Sequence, residues 1–549
     1  IGDKGAQALA EALKTNSTLT TLSLYMNYIK SNGGQALSRA IKVNSTLTTL
    51  SLSNNGIGDD GAQVLSEALK INSTLTSLNL NFNAIGSNGA QTLSGALKTN
   101  STLMTLELKL NAIGPHGVWA LCEALKTNLT LTSLKLLSSS IGSNGARALS
   151  EGLKTNSALT TLELSDSWIG PNGAQALSEA LKTNSTLTTL SLETNHIGDN
   201  GAQALFEALK INSTLTTLDL RNNKIGSDGA RALSEALKIN STLTTLQFSN
   251  NPIGDDGAQA LSDALKVNST LTTLRLYNSY NNIGEKGNQA LSEALRTNLT
   301  FFSLMSKMLR IHPLELHEIR SRIASSLGLH DLASCARVSH DWNDSFTPPL
   351  YWSVVLLHKG PSVESVEKNK HFIRFLEIRR PVFDNQSWTI SQDNIVLSVM
   401  ANSTLTTLSF PDNRIGYNGA QVLSEALKTN TTLTTLIMKS NKIGSYGAQA
   451  LSEALKINST LTTLDLRDNS IGDDGARALS EGLKINSTLT TLNLCRNSLG
   501  GDGAQTLSEA LKTNSTLTTL DLNDNWIKPT GGQALSEALK VNSTLTTLG

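Results

Sequence analysis

Residue types that support catalysis or metal binding are few and scattered in this chain. The three cysteines, Cys122, Cys335 and Cys495, are far apart, and the eight histidines show no metal-ligand spacing. Disulfide frameworks and zinc sites need closely spaced ligands, and no glycine-rich phosphate loop or Ser/His/Asp set is recognisable. We therefore expect no enzymatic activity, no cofactor and no metal, and the free cysteines favour a cytoplasmic or nuclear protein.

A second pattern with chemical meaning is the Asn-x-Ser/Thr acceptor of N-glycosylation. It occurs, among other places, at Asn16, Asn44, Asn72, Asn184, Asn240 and Asn486. A secreted chain would carry a row of glycans at these positions. Asn156-Ser157-Ala158 keeps the asparagine but loses the acceptor, so we interpret these asparagines as structural. We expect each to end a helix in the left-handed conformation that asparagine tolerates.

A third set of residues differs between the copies of a repeated unit whose other positions are constant. Residues that vary in this way suit protein recognition. The set combines mixed charges with exposed-type aromatic and apolar residues, notably Tyr25, Met26, Phe82, Leu110, Trp168 and Trp526. Aromatic residues and arginine carry most of the energy of protein interfaces; the alternative is a merely solvated face. The predicted partner-binding residues are Glu107, Lys109, Lys135, Glu163, Glu193, Asp219, Arg221, Arg275, Tyr277, Lys439, Asp465, Arg467, Asp521 and Asn523.

The constant framework is a 28-residue unit with the pattern L-x-x-L-x-L-x-x-N-x-I-G-x-x-G-A-x-A-L-x-E-A-L-K-x-N. Alternation of Leu22 and Leu24 predicts a short strand, whereas Ala6, Leu9 and Leu13 have helical spacing. Self-similarity at such a period is typical of a solenoid, in which each unit buries its apolar face against its neighbours.

The connection of the units predicts the architecture. Each strand is reached through a helix, so the strands run parallel and the helices lie on one side. Strands stack about 4.8 Å apart and helices about 8–10 Å, so the array curves. We predict an α/β fold: a solenoid with a curved parallel sheet, helices on the convex side, and the variable residues on the concave side.

Polar framework residues are expected to serve the backbone. Side-chain oxygens at the start of each helical pattern are expected to cap that helix, at Asp3, Ser31, Asp59, Ser87, Ser143 and Asp199. Asparagines such as Asn55 follow each strand, where an amide satisfies the turn and the next repeat. Ser139 and Ser167 replace them in two repeats, where we expect a looser turn.

Composition excludes two classes of partner. Lys+Arg and Asp+Glu both total 45, so no basic excess favours nucleic acid or an anionic membrane. No apolar run reaches the roughly 18 residues that a membrane-spanning helix needs.

The repeat pattern resembles the ribonuclease-inhibitor class of leucine-rich repeats, which also occurs in NOD-like receptors and Ran GTPase-activating proteins. The resemblance implies a helix on the convex side and use of the fold as a protein-binding surface. It does not by itself identify a function, and no catalytic loop of a Ran GTPase-activating protein is identifiable.

The repeats are interrupted from roughly Leu309 to Asn394, and His, Trp, Arg and Pro become frequent from Leu309 onward. Pro313-Leu314-Glu315-Leu316 opens one predicted helix and Asp331 is positioned to cap a second. A third apolar cluster ends at Leu350-Tyr351-Trp352. We predict three short helical segments that need a neighbour or a partner, because so small a unit buries little surface.

This interruption resembles an F-box in its Pro-x-Glu-Leu, Asp-Leu, Val-x-x-x-Trp and Leu-x-Trp motifs. The resemblance implies binding to a Skp-type adaptor and, through it, to a cullin-RING ubiquitin ligase, with a substrate protein on the concave face. Trp342 and Trp352 would hold the motif together. The residues that would contact the adaptor are Pro313, Leu314, Leu316, Ile319, Ile323, Leu332 and Val338.

Alternatives remain at the sequence level. The alternative to an F-box is that the interruption is a cap between two arrays. The chain would then be a repeat-only scaffold or the sensor region of a NOD-like receptor. The predicted domains are an array at 1–307, the F-box-like segment at 308–360, a linker with an atypical repeat at 361–401, and a second array at 402–549. Ile373–Ile378 has strand spacing, and Met305 or Met308 could mark the junction of two reading frames.

Overall fold

The computed structural model describes residues 1–276, 279–297, 352–357, 373–379 and 404–549. Short strands and helices alternate through these residues, as the repeat predicts. The helices are α1 Gly2–Leu13, α2 Ser31–Ile41, α3 Gly58–Leu69, α4 Ser87–Leu97, α5 Gly114–Leu125, α6 Gly142–Thr155, α7 Gly170–Leu181, α8 Gly198–Leu209, α9 Ser227–Leu237, α10 Gly254–Leu265, α11 Glu285–Thr297, α12 Gly416–Thr429, α13 Gly444–Leu455, α14 Gly472–Leu483, α15 Gly501–Leu511 and α16 Lys528–Leu539.

The strands are mostly three residues long. They are β1 Thr21–Ser23, β2 Thr49–Ser51, β3 Ser77–Asn79, β4 Thr105–Glu107, β5 Ser133–Lys135, β6 Thr161–Glu163, β7 Thr189–Ser191, β8 Thr217–Asp219, β9 Thr245–Gln247, β10 Thr273–Arg275, β11 Trp352–Leu357, β12 Ile373–Arg379, β13 Thr407–Ser409, β14 Thr435–Ile437, β15 Thr463–Asp465, β16 Thr491–Asn493, β17 Thr519–Asp521 and β18 Thr547–Leu548.

The chain divides into two compact units, Leu24–Ile311 on the one hand and Ile1–Ser23 with His312–Gly549 on the other. In the first unit β2 to β10 pair in parallel and in chain order. In the second unit β11 to β18 do the same, and β1 pairs in parallel with β18. The predicted α/β repeat solenoid with a parallel sheet is confirmed.

Burial follows the leucine pattern. The central leucine of most of the three-residue strands, such as Leu106 or Leu464, is fully buried, and so are most of the helix residues at the positions of Ala90 and Leu93. Aligned leucines stack between neighbouring strands, as Leu106 does with Leu134. Each repeat therefore packs its apolar residues against those of its neighbours, and this packing stabilises a solenoid.

Helix capping differs from the prediction. The residues expected to cap their own helix lie inside its first turn; in α3, for example, the residue at the N-cap position is Ile57 and Asp59 comes two residues later. Asp59 instead caps the next helix, because its Oδ1 accepts hydrogen bonds from the N–H groups of Gly86 at 2.6 Å and Gly89 at 2.9 Å. The prediction of self-capping was wrong, because Asp59 lies past the N-cap position of its own helix and binds the N–H groups of the next repeat.

The helix-terminal asparagines are structural, but not for the predicted reason. Asn156 has φ −72° and ψ 130°, which is extended and not left-handed. Its Nδ2 donates to Leu125 O at 2.7 Å and its Oδ1 accepts from Leu159 N at 2.7 Å. In the six acceptor-type copies named above the asparagine is 6–7% exposed, so the side chain that would carry a glycan is buried.

The asparagines after each strand bind the preceding repeat in addition to their own turn. Asn55 Oδ1 accepts from Asn27 N at 2.9 Å and Ile29 N at 3.1 Å. Its Nδ2 donates to Leu24 O at 2.7 Å and Leu52 O at 2.9 Å. The predicted direction, towards the next repeat, was therefore wrong: the amide reaches backwards and joins two repeats.

Serine replaces this asparagine imperfectly. Ser139 Oγ donates to Leu108 O and Leu137 O, both at 3.3 Å, whereas Asn111 Nδ2 donates to Leu80 O at 2.9 Å. The two neighbours of Ser139 keep left-handed φ values of 52° and 50°. The turn is thus looser in its hydrogen bonds but not in its backbone path.

The predicted F-box lies mostly outside the described residues, including every predicted adaptor contact from Pro313 to Val338. Trp352, predicted to close the helical segment, instead begins strand β11, which pairs with β12. The strand predicted from Ile373 is present as β12, and Phe375 aligns with Thr407 of β13. Both segments are rich in β-branched and aromatic residues, which favour strands.

None of the helices in the described ranges is long and apolar enough to cross a membrane.

Candidate protein-interaction face

The strand ends carry the variable residues side by side. Pairing of β4, β5 and β6 aligns Glu107 with Lys135 and Lys135 with Glu163. These side chains flank the buried leucines of the same strands and are only partly exposed. The arrangement follows from strand alternation, which sends neighbouring residues to opposite faces of the sheet.

Four of the predicted residues form an ion-pair cluster, defined here as Glu107, Lys109, Lys135 and Glu163. Lys135 Nζ lies 2.9 Å from Glu107 Oε1 and 3.8 Å from Glu163 Oε1. Lys109 Nζ lies 2.7 Å from Glu163 Oε2. Asn81 completes the cluster, since its Nδ2 donates to Glu107 Oε2 at 2.8 Å. Two positive and two negative charges therefore neutralise one another.

The pKa values agree with this pairing. Burial alone would raise the pKa of Glu107, but hydrogen bonds from Lys135 and Asn81 and the nearby lysine charges hold it below its usual value. Burial alone would lower the pKa of Lys135, but hydrogen bonds and charges from Glu107 and Glu163 raise it. Both groups are charged at neutral pH, because each stabilises the ionised form of the other.

A second group of predicted residues, Glu193, Asp219 and Arg221, is also paired. Arg221 Nη2 lies 2.6 Å from Asp219 Oδ2 and 2.7 Å from Glu193 Oε2. The hydrogen bond to Asp219 is the main cause of the raised pKa of the guanidinium. Since planar bidentate contacts with carboxylates suit arginine, this geometry is stable without a partner.

The remaining predicted residues are spread over both units. Arg467 lies 3.5 Å from Asp465, and Asn523 Nδ2 donates to Asp521 Oδ1 at 2.8 Å. Lys439 is half-buried, and Arg275 is exposed at the end of β10. Tyr277 lies outside the described residues. The structure thus brings most of the predicted residues together in local groups within each unit.

These charged residues were predicted to contact a partner, but in the structure they pair with one another. A signal was present: Glu107, Lys135 and Glu163 alternate in charge at intervals of one 28-residue repeat. Parallel strands in register place such residues next to one another, which favours opposite charges.

A second row of variable residues lies in the turns that follow the strands. This turn row is defined as Met26, Tyr28, Phe82, Leu110 and Trp168. All five have φ between 54° and 57°, a left-handed conformation. It disfavours side chains of this size by about 1–2 kcal/mol per residue. The ring of Trp168 contacts that of His196 at 5.2 Å.

No metal or nucleophile chemistry emerges from the described residues. No three His, Cys, Asp or Glu side chains in these ranges come together as a ligand group. Burial raises the pKa of Cys122 to about 12 and, together with Asp521 and Asp524, that of Cys495 to about 11. Thiols with such pKa values are weak nucleophiles at neutral pH. Cys335 lies outside the described residues.

Comparison with known protein families finds the leucine-rich repeat in thirteen segments that make up more than half of the chain. They are residues 15–38, 43–66, 72–94, 99–122, 155–178, 183–206, 212–234, 240–262, 401–424, 429–452, 458–480, 486–508 and 513–536. The same comparison detects no F-box, and no curated protein matches the chain.

Two solved structures show a limited similarity. One is Leiomodin-1 Actin-Binding Site 2, with 27% identity and a TM-score of 0.26 over 31% of this chain and 94% of that one. The other is the tropomodulin C-terminal domain of Caenorhabditis elegans, with 18% identity and a TM-score of 0.22 over 25% of this chain and 86% of that one. TM-scores of this size support no functional argument.

Proposed function

Because this chain belongs to the leucine-rich-repeat family, we propose that it acts as a protein-interaction scaffold whose partner docks on the strand ends and the turns that follow them. The supporting observation is the contrast between constant and variable positions. Leu106, Leu134 and Leu162 are identical and buried, whereas the residues that follow them differ in charge. A surface that varies on a fixed frame suits recognition rather than folding.

The finer proposal is that this scaffold is the substrate-recognition subunit of an SCF-type cullin-RING ubiquitin ligase. The F-box-like motifs of residues 308–360 support it. A Skp-type adaptor would bind the apolar side of the segment that Pro313 opens, and a substrate protein would bind the strand face. Pro313 suits the first turn of a helix, where its missing N–H is not needed.

Co-purification tests this proposal directly. The full chain is co-expressed with a Skp-type adaptor, alongside a Leu316→Ala plus Ile319→Ala variant. Truncating two interface anchors is expected to weaken binding by more than about 2 kcal/mol. The matched control is Ile457→Ala plus Ile485→Ala, which shortens two exposed residues at the ends of repeat helices. If wild type recovers no adaptor, or the anchor variant recovers as much, the ligase proposal fails.

A second candidate role for the interruption is a cap. The specific observation is that β11 and β12 continue the parallel sheet in front of β13. A solenoid end exposes an unpaired strand edge and an apolar face, and a cap covers both. On this alternative the chain is a repeat-only scaffold or a sensor region with no link to ubiquitin.

The same variants distinguish the two roles. If Leu316→Ala plus Ile319→Ala loses adaptor binding and its thermal unfolding is unchanged, the F-box role is favoured. A lower unfolding midpoint for Leu316→Ala plus Ile319→Ala, with no adaptor recovered by wild type, favours the cap.

A further inference from the structure

The turns after the strands adopt the same backbone in both units but carry different side chains. In the turns that the structure describes, the second residue is left-handed, as in Asp412, Ser440, Asp468, Arg496 and Asp524 of the second unit. In three repeats of the first unit this position holds Met26, Phe82 and Leu110 instead. The comparison is internal to one chain, so the difference reflects the side chains and not the turn type.

The backbone does not explain the large residues. Asparagine and aspartate tolerate left-handed φ because their short polar side chains bond locally, whereas methionine, phenylalanine and leucine do not. Asn54, Asn222 and Asn250 occupy the same position elsewhere in the first unit. Asparagine is therefore compatible with the left-handed conformation of the turn, whereas the apolar residues destabilise it.

Burial does not explain them either. Met26, Phe82 and Leu110 are 48%, 49% and 39% exposed, and Trp168 is 66% exposed. Exposed apolar residues that also strain the backbone contribute little to folding. Strain of this kind at an exposed position is an indication of function.

The neighbouring charges restrict what can bind. Phe82 N donates to Lys109 O at 2.9 Å, so the turn row runs directly beside the ion-pair cluster. The four charged groups of that cluster bind one another, and its net charge is zero. A charged partner would have to break these pairs, whereas an uncharged one leaves them intact.

We propose that the turn row is the main contact surface for a protein partner that presents an uncharged, apolar segment. The proposal rests on the function proposed above and names its recognition chemistry. Phe82 and Leu110, in adjacent repeats, form its centre, and the ion-pair cluster borders it without supplying charge. Binding of this kind depends little on ionic strength, because screening acts on charges.

Selection from a random peptide display library on the immobilised full chain tests the proposal. The peptides that bind are expected to be rich in apolar and aromatic residues, with affinity that is unchanged between about 50 mM and about 500 mM salt. Phe82→Asn plus Leu110→Asn is expected to weaken them at least about tenfold. The matched control, Thr194→Asn plus Arg496→Asn, introduces the same residue at equivalent turn positions and is expected to bind normally.

Thermal unfolding separates binding from folding. Because asparagine suits the left-handed turn, Phe82→Asn plus Leu110→Asn is expected to unfold at the same temperature as wild type or higher. A clearly lower midpoint would show that these residues support the fold and would overturn the proposal.

The other outcomes are also decisive. Charged peptides that bind through Glu107 or Lys135 and are lost at high salt would overturn the turn-row proposal but leave the scaffold function standing. If no peptide binds wild type, both proposals fail.

Discussion

Asp59 caps a helix to which it does not belong. Its Oδ1 accepts hydrogen bonds from the N–H groups of Gly86 and Gly89, 2.6 Å and 2.9 Å away in the next repeat. Gly86 is extended, with φ −93°. Asp199 and Asp473 make the same contacts one repeat ahead, where Gly226 and Gly500 have φ −95° and −94°.

Where the preceding repeat lacks this aspartate, the glycine is left-handed. Ser87 stands at the aspartate position before Gly114, which has φ +62°. The N–H of Gly114 then donates to Ser139 O at 3.1 Å. One side chain therefore selects between two ways of starting the helix of the following repeat.

Loss of this cap is expected to destabilise the chain. Asp59→Ala removes the acceptor of two helix N–H groups, which typically costs about 1 kcal/mol. Asp60→Ala changes the exposed neighbouring carboxylate and is expected to stay within about 0.5 kcal/mol. Urea unfolding measures both. Equal effects of the two substitutions would contradict capping between repeats.

Glycine to alanine is expected to act in opposite directions at two positions. Gly114→Ala places a Cβ in open space but at φ +62°, so the conformation alone is expected to cost about 1 kcal/mol. Gly95→Ala, within α4 and also without a close neighbour, is expected to stabilise by up to about 1 kcal/mol through helix propensity. If both substitutions shifted the midpoint of thermal unfolding in the same direction, this assignment would be contradicted.

The ion-pair cluster predicts a pH dependence. Because folding lowers the pKa of Glu107, its contribution to stability is present above the unfolded pKa and is lost as the pH falls through the folded pKa. Glu107→Gln is therefore expected to destabilise more at about pH 7 than at about pH 3, because the contribution of Glu107 decreases as the pH falls through its lowered pKa. Urea unfolding at both pH values measures the difference.

The control for this measurement is Glu67→Gln, which removes an exposed pair with Lys70 at 2.6 Å. Exposed pairs contribute little, so a smaller pH-dependent difference is expected. A difference as large as that of Glu107→Gln would assign the effect to net charge rather than to the cluster.

The described cysteines are expected to resist alkylation in the folded chain. With thiol pKa values of about 12 and about 11, Cys122 and Cys495 are almost fully protonated near neutral pH. Asp521→Asn removes one cause of the raised pKa of Cys495 and is expected to speed its reaction with iodoacetamide, with no effect on Cys122. Mass spectrometry of each peptide reports the rates, and fast labelling of Cys122 in the native chain would contradict its burial.

Leu464 and Asp465 separate core from surface within one strand. Leu464 is fully buried, so Leu464→Ala is expected to cost about 2–5 kcal/mol through lost burial and a cavity. Asp465→Ala is expected to cost only about 1 kcal/mol, because it removes one hydrogen bond from Arg467 N–H at 2.9 Å and a weak 3.5 Å contact with the Arg467 guanidinium. If chemical denaturation showed that Asp465→Ala destabilises the chain more than Leu464→Ala, the strand end would belong to the core.

The spacing of residues determined the secondary structure and its topology. Alternation at Leu22 and Leu24 and the helical interval of Ala6, Leu9 and Leu13 both depend on which residues face the core, a property that repeats locally. The parallel sheet followed, because a helix separates each strand from the next. The variable positions were also visible, since the repeats act as an internal comparison.

Only the tertiary structure decided what the polar residues bind. Asp59 accepts hydrogen bonds from the N–H groups of Gly86 and Gly89 in the next repeat, and Asn55 donates one to Leu24 O in the preceding repeat. The charged groups of Glu107 and Lys135 form an ion pair with each other. Apolar burial is a sum over many contacts that a pattern predicts, but a hydrogen bond or ion pair depends on two atoms meeting within about 3 Å. That distance is set by how one repeat stacks on the next.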